Sequence, residues 1–211
     1  APGHVAACHY AAKELLAAGT RMDPLFTPGE KWFYSNTNYT ALGLILEKVT
    51  GQRLATLVEQ RIARPLHLRH TYFATDANSR DGDRLAHGYE PDAEHLKPLL
   101  PPGAPDGIRF AGPEHDDHVD VTGINPNWAA AAGAMVSTAQ DWDRFLTALL
   151  GGELLPAAQL EQMLTMVPVD SANPDAGRYG LGLAQLNTPC GTVWGHTGGI
   201  PGYKSENFTD R

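Results

Sequence analysis

An α+β fold is predicted from three observations. Helical periodicity recurs across the first 166 residues, short segments rich in β-branched and aromatic residues follow from Tyr179, and Gly and Pro turns separate those segments. The expected organisation is a mostly helical domain over 1–178, with a long loop at about 90–127, and a partial antiparallel sheet over 179–211. Two or three strands make a poor sheet by themselves, so this sheet reads as unfinished.

The first helix is expected over His9 to Ala18 and the second over Asn38 to Val49, with Leu42, Ile45, Leu46 and Val49 on one side. A third is expected over Leu54 to Ala63. Gly19, Gly51 and Pro65 punctuate their ends. The stretch from Glu90 to Asn127, rich in Pro, Gly, Asp and His, reads as loop. After it, Ser137-Thr138-Ala139-Gln140 has capping-box spacing for a helix running to about Leu150, where Gly151 and Gly152 stop it. Pro156 suits the first turn of a further helix through Met166, because proline lacks only an amide that would be unpaired there. Strands are expected at Tyr179 to Leu186, Thr192 to His196 and Tyr203 to Phe208.

The 211 residues are 42% apolar and 19% charged, an ordinary globular balance. No run of about 18 apolar residues occurs, so no membrane-spanning helix is expected, and residues 1–30 carry no basic segment followed by an apolar one. Net charge is −8, and the excess acidity is C-terminal: residues 91–211 hold six basic and fifteen acidic side chains, against ten and nine in 1–90. An acidic surface without a basic stripe argues against nucleic acid as a partner. Cys8 and Cys190 are the two cysteines, which excludes a disulfide framework and a Cys-x-x-Cys site; one bridge and two free thiols both fit the sequence.

Two segments carry chemistry. In Phe26-Thr27-Pro28-Gly29-Glu30-Lys31-Trp32-Phe33-Tyr34-Ser35-Asn36-Thr37-Asn38-Tyr39, a Tyr-Ser-Asn triplet opens the amphipathic helix that ends Glu47-Lys48-Val49-Thr50-Gly51. The second segment is Trp194-Gly195-His196-Thr197-Gly198-Gly199. Tyr-Ser-Asn resembles the Tyr-x-Asn motif of class C β-lactamases, D-alanyl-D-alanine carboxypeptidases and related esterases. Gly-His-Thr-Gly resembles the Lys-Thr-Gly or His-Thr-Gly motif that this family carries on a strand edging its cleft. Between them, Asn127-Trp128 through Phe145 matches the family's Gly-x-hydrophobic-x-Ser-Thr-x-x-Asp helix start. The resemblance runs from about Leu15 to Arg211, and it implies a β-lactamase/DD-peptidase-like fold.

It also implies roles. Family chemistry uses a serine that attacks a carbonyl, a neighbouring base, and amides that hold the oxyanion. Carried over, Tyr34 is the phenolic acid/base, Asn36 hydrogen-bonds the substrate amide, and His196 assists proton traffic. Ser35, Trp128, Thr197, Gly198 and Gly199 line the substrate site, Trp128 as an aromatic wall. Each residue also has an ordinary structural explanation: Tyr34 and Asn36 fit a helix-start turn, His196 a strand, and Trp128 a core. The combination of motifs favours function. Gly195, Gly198 and Gly199 are read as allowing close ligand approach to the strand.

The family's nucleophile sits in Ser-x-x-Lys, which these residues lack: three positions before Lys13, Lys31, Lys48, Lys97 and Lys204 stand Tyr10, Pro28, Ile45, Glu94 and Pro201. There is no Gly-x-Ser-x-Gly elbow either. The resemblance implies a Ser-x-x-Lys helix and two strands before this segment and further sheet after it, so the chain is expected to be an internal fragment, inactive alone, with an exposed sheet edge that predicts self-association.

A substrate departure is visible as well. The His-Thr-Gly carboxypeptidases carry an arginine for the substrate carboxylate where this chain has Ala184-Gln185-Leu186, which brings a neutral amide or ester into competition with a D-alanine peptide.

The expected activity is therefore serine hydrolysis of a β-lactam, D-Ala peptide or ester through an acyl-enzyme. The alternative is an inactive binding module recognising peptidoglycan-like or peptide ligands. No cofactor is called for. Glu114-His115-Asp116-Asp117-His118 with Asp120 gathers imidazoles and carboxylates, but its spacing matches no metal signature and reads as a solvated acidic loop, so no metal site is assigned. The resemblance implies a bacterial, extracytoplasmic or secreted setting.

Overall fold

The computed structural model describes residues 11–74, 85–124 and 126–211. Helix α1 (Ala12–Gly19) leads through an extended run into α2 (Asn36–Thr50), whose N-cap residue Ser35 is extended at φ −146°. Helix α2 ends where Gly51 adopts φ 68° and returns its amide to the Glu47 carbonyl, a left-handed cap that glycine adopts without a Cβ clash. A Cβ on Gly43 would lie 2.6 Å from Ala131, so this glycine lets α2 pack closely on the Pro126–Ala132 segment. That packing turns the other side of α2 outward: Leu42, Ile45, Leu46 and Val49 share one side as expected, yet each is about half or more exposed. Helix α3 (Leu54–Val58) continues into a π-helical turn (Glu59–Ala63), so the expected 54–63 helix is present but changes pitch.

The predicted loop is partly a sheet. Strands β2 (Tyr89–Pro91), β3 (Glu114–His115) and β4 (His118–Asp120) form an antiparallel sheet in the order β2-β4-β3. Asp116, at φ 51°, makes the turn between β3 and β4. Strands of two or three residues carry too little alternation to register in the sequence. A short helix α4 (Ala93–Leu96) is capped by Asp92, whose carboxylate accepts from the amides of Glu94 and His95 at 3.0 and 2.9 Å. Strand β1 (Tyr72–Phe73) pairs antiparallel with β5 (Met135–Val136).

Helix α5 (Ala139–Leu150) corrects the expected cap by one residue. Thr138 is the N-cap and accepts from the Asp141 amide, whereas the Ser137 hydroxyl bonds that of Thr71 at 2.7 Å. Asp141, not Gln140, is therefore the third helical residue. Its buried carboxylate accepts from the His70 amide at 2.9 Å and the Thr71 hydroxyl at 2.8 Å. Helix α6 (Ala157–Met163) has Pro156 at its N-cap and stops three residues short of the expected end, where the chain turns toward strand β6 (Val167–Pro168).

The second sheet is fuller than expected. Strands β6, β7 (Arg178–Tyr179), β8 (Ala184–Thr188), β9 (Gly191–Ile200) and β10 (Tyr203–Thr209) form an antiparallel sheet in the order β10-β9-β8-β7-β6. The expected strand from Tyr179 to Leu186 is split into β7 and β8 by a turn in which Gly182 takes φ 85°. Leu149 and Leu150 of α5 pack with Leu183, joined by Met163, Met166 and Trp194, so α5 and α6 cover one face of this sheet. Mixed helix and antiparallel sheet give the α+β class.

Candidate active site

The extended run before α2 brings a phenol to the sheet. The partly buried Tyr34 ring has its centroid 5.7 Å from Tyr39, 6.0 Å edge-on from Tyr179 and 5.7 Å from His196. Trp32 closes the cluster at 5.0 Å from Tyr179. The two motifs, about 160 residues apart in the chain, thus meet through an aromatic cluster: Tyr34 precedes α2 and His196 lies on β9. Among the described residues the Tyr34 hydroxyl has no hydrogen-bond partner. Burial, and secondarily the nearby Tyr39 phenol, push the Tyr34 phenol above the usual tyrosine range, so it is held protonated.

His196 is held at both nitrogens. Nε2 is 2.8 Å from the Tyr179 hydroxyl and Nδ1 is 2.5 Å from the Thr197 carbonyl. The Tyr179 hydroxyl also bonds that of Tyr39. Tyr179 is buried at 8% exposure, and burial first, then its bond to Tyr39, raises its phenol well above the ordinary value. In the sequence Tyr39 falls within the expected second helix and Tyr179 begins an expected strand. Their partnership spans 140 positions, and no local pattern marks it.

The other candidates divide. Asn36 opens α2 with Ser35 as its cap, and Thr197, Gly198 and Gly199 follow His196 on the exposed half of β9. Trp128 lies on the segment packed against α2 at 36% exposure, and among the described residues it makes no ring contact with the Tyr34 cluster. The reading of Gly195 is corrected: a Cβ there would stand 1.8 Å from the Asn207 carbonyl oxygen, so it is the neighbouring strand β10, not a ligand, that requires glycine. Gly199 has open space around it.

Within the acidic segment His118 pairs with Asp117 at 2.5 Å, whereas Asp120 pairs with His87, 33 positions earlier, at 2.7 Å; outside it His95 pairs with Asp92 at 2.9 Å. Among the described residues no three His, Cys, Asp or Glu side chains are grouped to hold a metal ion. Cys190 is an exposed free thiol, and Cys8 lies outside the described residues. No helix among the described residues is long and apolar enough to cross a membrane.

Comparison with known proteins gives this geometry its context. Penicillin-binding protein 4* of Bacillus subtilis (strain 168) is 30% identical over 182 residues, which cover 85% of this chain and 37% of that protein. A D-stereospecific amidohydrolase from Streptomyces sp. superposes with TM-score 0.76 at 37% identity, over 92% of this chain and 51% of that one. The D-amino acid amidase of Ochrobactrum anthropi SV3, complexed with D-phenylalanine, superposes with TM-score 0.75 at 29% identity, over 94% of this chain and 53% of that one. The chain thus spans between about a third and a half of the length of these relatives. A model of the Beta-lactamase family matches residues 2–211, and with Tyr-Ser-Asn and His-Thr-Gly facing each other across one aromatic cluster, the chain belongs to that family.

Proposed function

We propose that this chain supplies two walls of a serine-hydrolase active site that cleaves an amide or ester through an acyl-enzyme. The observation that carries the reading is the Tyr34 phenol, unpaired among the described residues, with its ring 5.7 Å from that of His196 on the His-Thr-Gly strand. In the proposed sequence a serine oxygen attacks the substrate carbonyl and its proton passes to the neighbouring base. The C–N or C–O bond of the tetrahedral intermediate then breaks as Tyr34 protonates the leaving group and takes back a proton from that base. Water finally releases the acid and regenerates the serine. Asn36 orients the substrate amide, and Ser35, Trp128, Thr197, Gly198 and Gly199 line the pocket.

The reading requires a serine nucleophile from outside residues 1–211, since the family's Ser-x-x-Lys does not occur within them. That same lack supports a second reading, a binding module with the cleft but without turnover. For substrate, a D-amino-acid amide is favoured: the similar structures include a D-stereospecific amidohydrolase and a D-amino acid amidase, and Ala184-Gln185-Leu186 on β8 offers no cation for a free carboxylate. The relatedness to a penicillin-binding protein supports an extracytoplasmic bacterial setting.

The test is hydrolysis by the full gene product of D- and L-phenylalanine amide, a D-alanyl-D-alanine peptide and a phenyl ester. Faster release from the D-amide than from its L-enantiomer supports the reading. Binding of the D-amide with no turnover of any of the four compounds favours the binding module.

A further inference from the structure

Hydrogen-bond direction within the site can be followed outward from one fixed acceptor. A carbonyl only accepts, so the contact between His196 Nδ1 and the Thr197 carbonyl requires a proton on Nδ1. In the uncharged imidazole, Nε2 is then the acceptor, and the Tyr179 hydroxyl beside it at 2.8 Å must be the donor. A hydroxyl has one proton. With its proton on His196, Tyr179 can only accept from its other neighbour, so Tyr39 donates to it. The chain of donors runs from Tyr39 to Tyr179 to His196 and ends on the backbone of β9. Burial of Tyr179 beside the rings of Trp32 and Tyr34 leaves its hydroxyl little freedom to turn elsewhere.

We propose that Tyr179 is a positioning residue that caps Nε2 of His196, whose Nδ1-protonated tautomer is set by the Thr197 carbonyl, and that Tyr39 sets the direction of Tyr179. The consequence, which rests on the acyl-enzyme reading, is a change of role for His196. Its second nitrogen is engaged within the protein, so it stiffens the wall of the site and proton transfer to the leaving group falls to Tyr34, whose hydroxyl is unpaired among the described residues. Protonating Nε2 would require the Tyr179 and Tyr39 hydroxyls both to reverse.

The test is a long-range proton–nitrogen correlation spectrum of the full gene product labelled with ¹⁵N-histidine, recorded near pH 9, above the ordinary imidazole range. His196→Gln identifies the resonance. The expected wild-type pattern is a protonated Nδ1 and an unprotonated, hydrogen-bonded Nε2; a protonated Nε2 overturns the proposal. In Tyr179→Phe the Nε2 resonance should move downfield while the Nδ1 proton is retained, and in Tyr39→Phe, which keeps the ring packing, it should move the same way by less. An unmoved Nε2 resonance in both variants also overturns the proposal. The tautomer is read without substrate, so its failure is separate from failure of the acyl-enzyme reading, which turnover and covalent labelling test.

Discussion

The Glu90 carboxylate accepts a 2.7 Å hydrogen bond from the amide of Gly202, 112 residues later, and so ties strand β2 to the turn between β9 and β10. The Tyr203 hydroxyl adds a second tie to the Ala86 carbonyl at 2.8 Å. The small sheet therefore steadies the hairpin that carries His196, Thr197 and Gly198. Glu90→Ala removes a bond to a charged acceptor worth about 1.5–3 kcal/mol. Exchange of the Gly202 amide, followed by hydrogen–deuterium exchange, should accelerate roughly tenfold to a hundredfold while exchange in α5 stays unchanged.

Two glycines of β9 should separate folding from ligand contact. Gly195→Ala forces a methyl against the β10 backbone, with a cost at or beyond the top of the usual ~1–3 kcal/mol for overpacking. Gly199→Ala meets nothing within 4 Å and should leave stability within about 0.5 kcal/mol of wild type while slowing substrate turnover. Thermal denaturation and turnover, measured on both variants, check the contrast; a Gly199→Ala variant with wild-type turnover would remove Gly199 from the substrate site.

Asp141 anchors the start of α5 to the segment before β1. Asp141→Ala leaves the His70 amide and the Thr71 hydroxyl without their acceptor in a part-buried setting, and should cost about 2–3 kcal/mol in urea denaturation. Turnover per folded molecule should be unchanged, because none of these groups touches the Tyr34 cluster.

Asp120 gives a pH-dependent signature on the small sheet. The Thr122 hydroxyl, then the Thr122 amide and the His87 ring, lower its carboxyl to about 2 from the ordinary 3.8. A depressed native pKa means that the stabilisation is complete above about pH 4 and is lost as pH falls through about 2. In Thr122→Val the Asp120 midpoint, followed by NMR of its carboxyl carbon, should rise toward 3.8; a midpoint that stays near 2 would assign the effect to the residue-122 amide and His87 rather than to the hydroxyl.

What the sequence revealed and what it hid follow from the range of each interaction. Helix α2 was legible because its signals are local: the apolar side, the Gly51 stop, and the Tyr-Ser-Asn start. The cap of α5 was misplaced by one residue because Ser137 and Thr138 are both capable caps, and a bond from Thr71, 66 positions away, engages Ser137. Strand β2 was hidden because its partner begins almost 30 residues later and neither strand exceeds three residues. Of the site, Tyr34 and His196 lie in recognisable motifs, whereas Tyr39 and Tyr179 gain their meaning only when α2 meets β7. Gly195 was visible as a strand glycine, but whether a ligand or a neighbouring strand demanded it depended on the β9–β10 register, which sets Phe208 opposite it.

In the proposed function Tyr34 serves a serine that lies outside these 211 residues. Intact mass after exposure to a fluorescent penicillin or a fluorophosphonate probe tests it most directly, on the 211-residue chain, the full gene product and its Tyr34→Phe variant. The expected result is a covalent adduct on the full gene product, none on the 211-residue chain, and labelling of Tyr34→Phe slowed by roughly 10²–10⁴-fold. An adduct on the 211-residue chain, or labelling of Tyr34→Phe at the wild-type rate, would contradict it, and no adduct on any of the three would favour the binding-module reading.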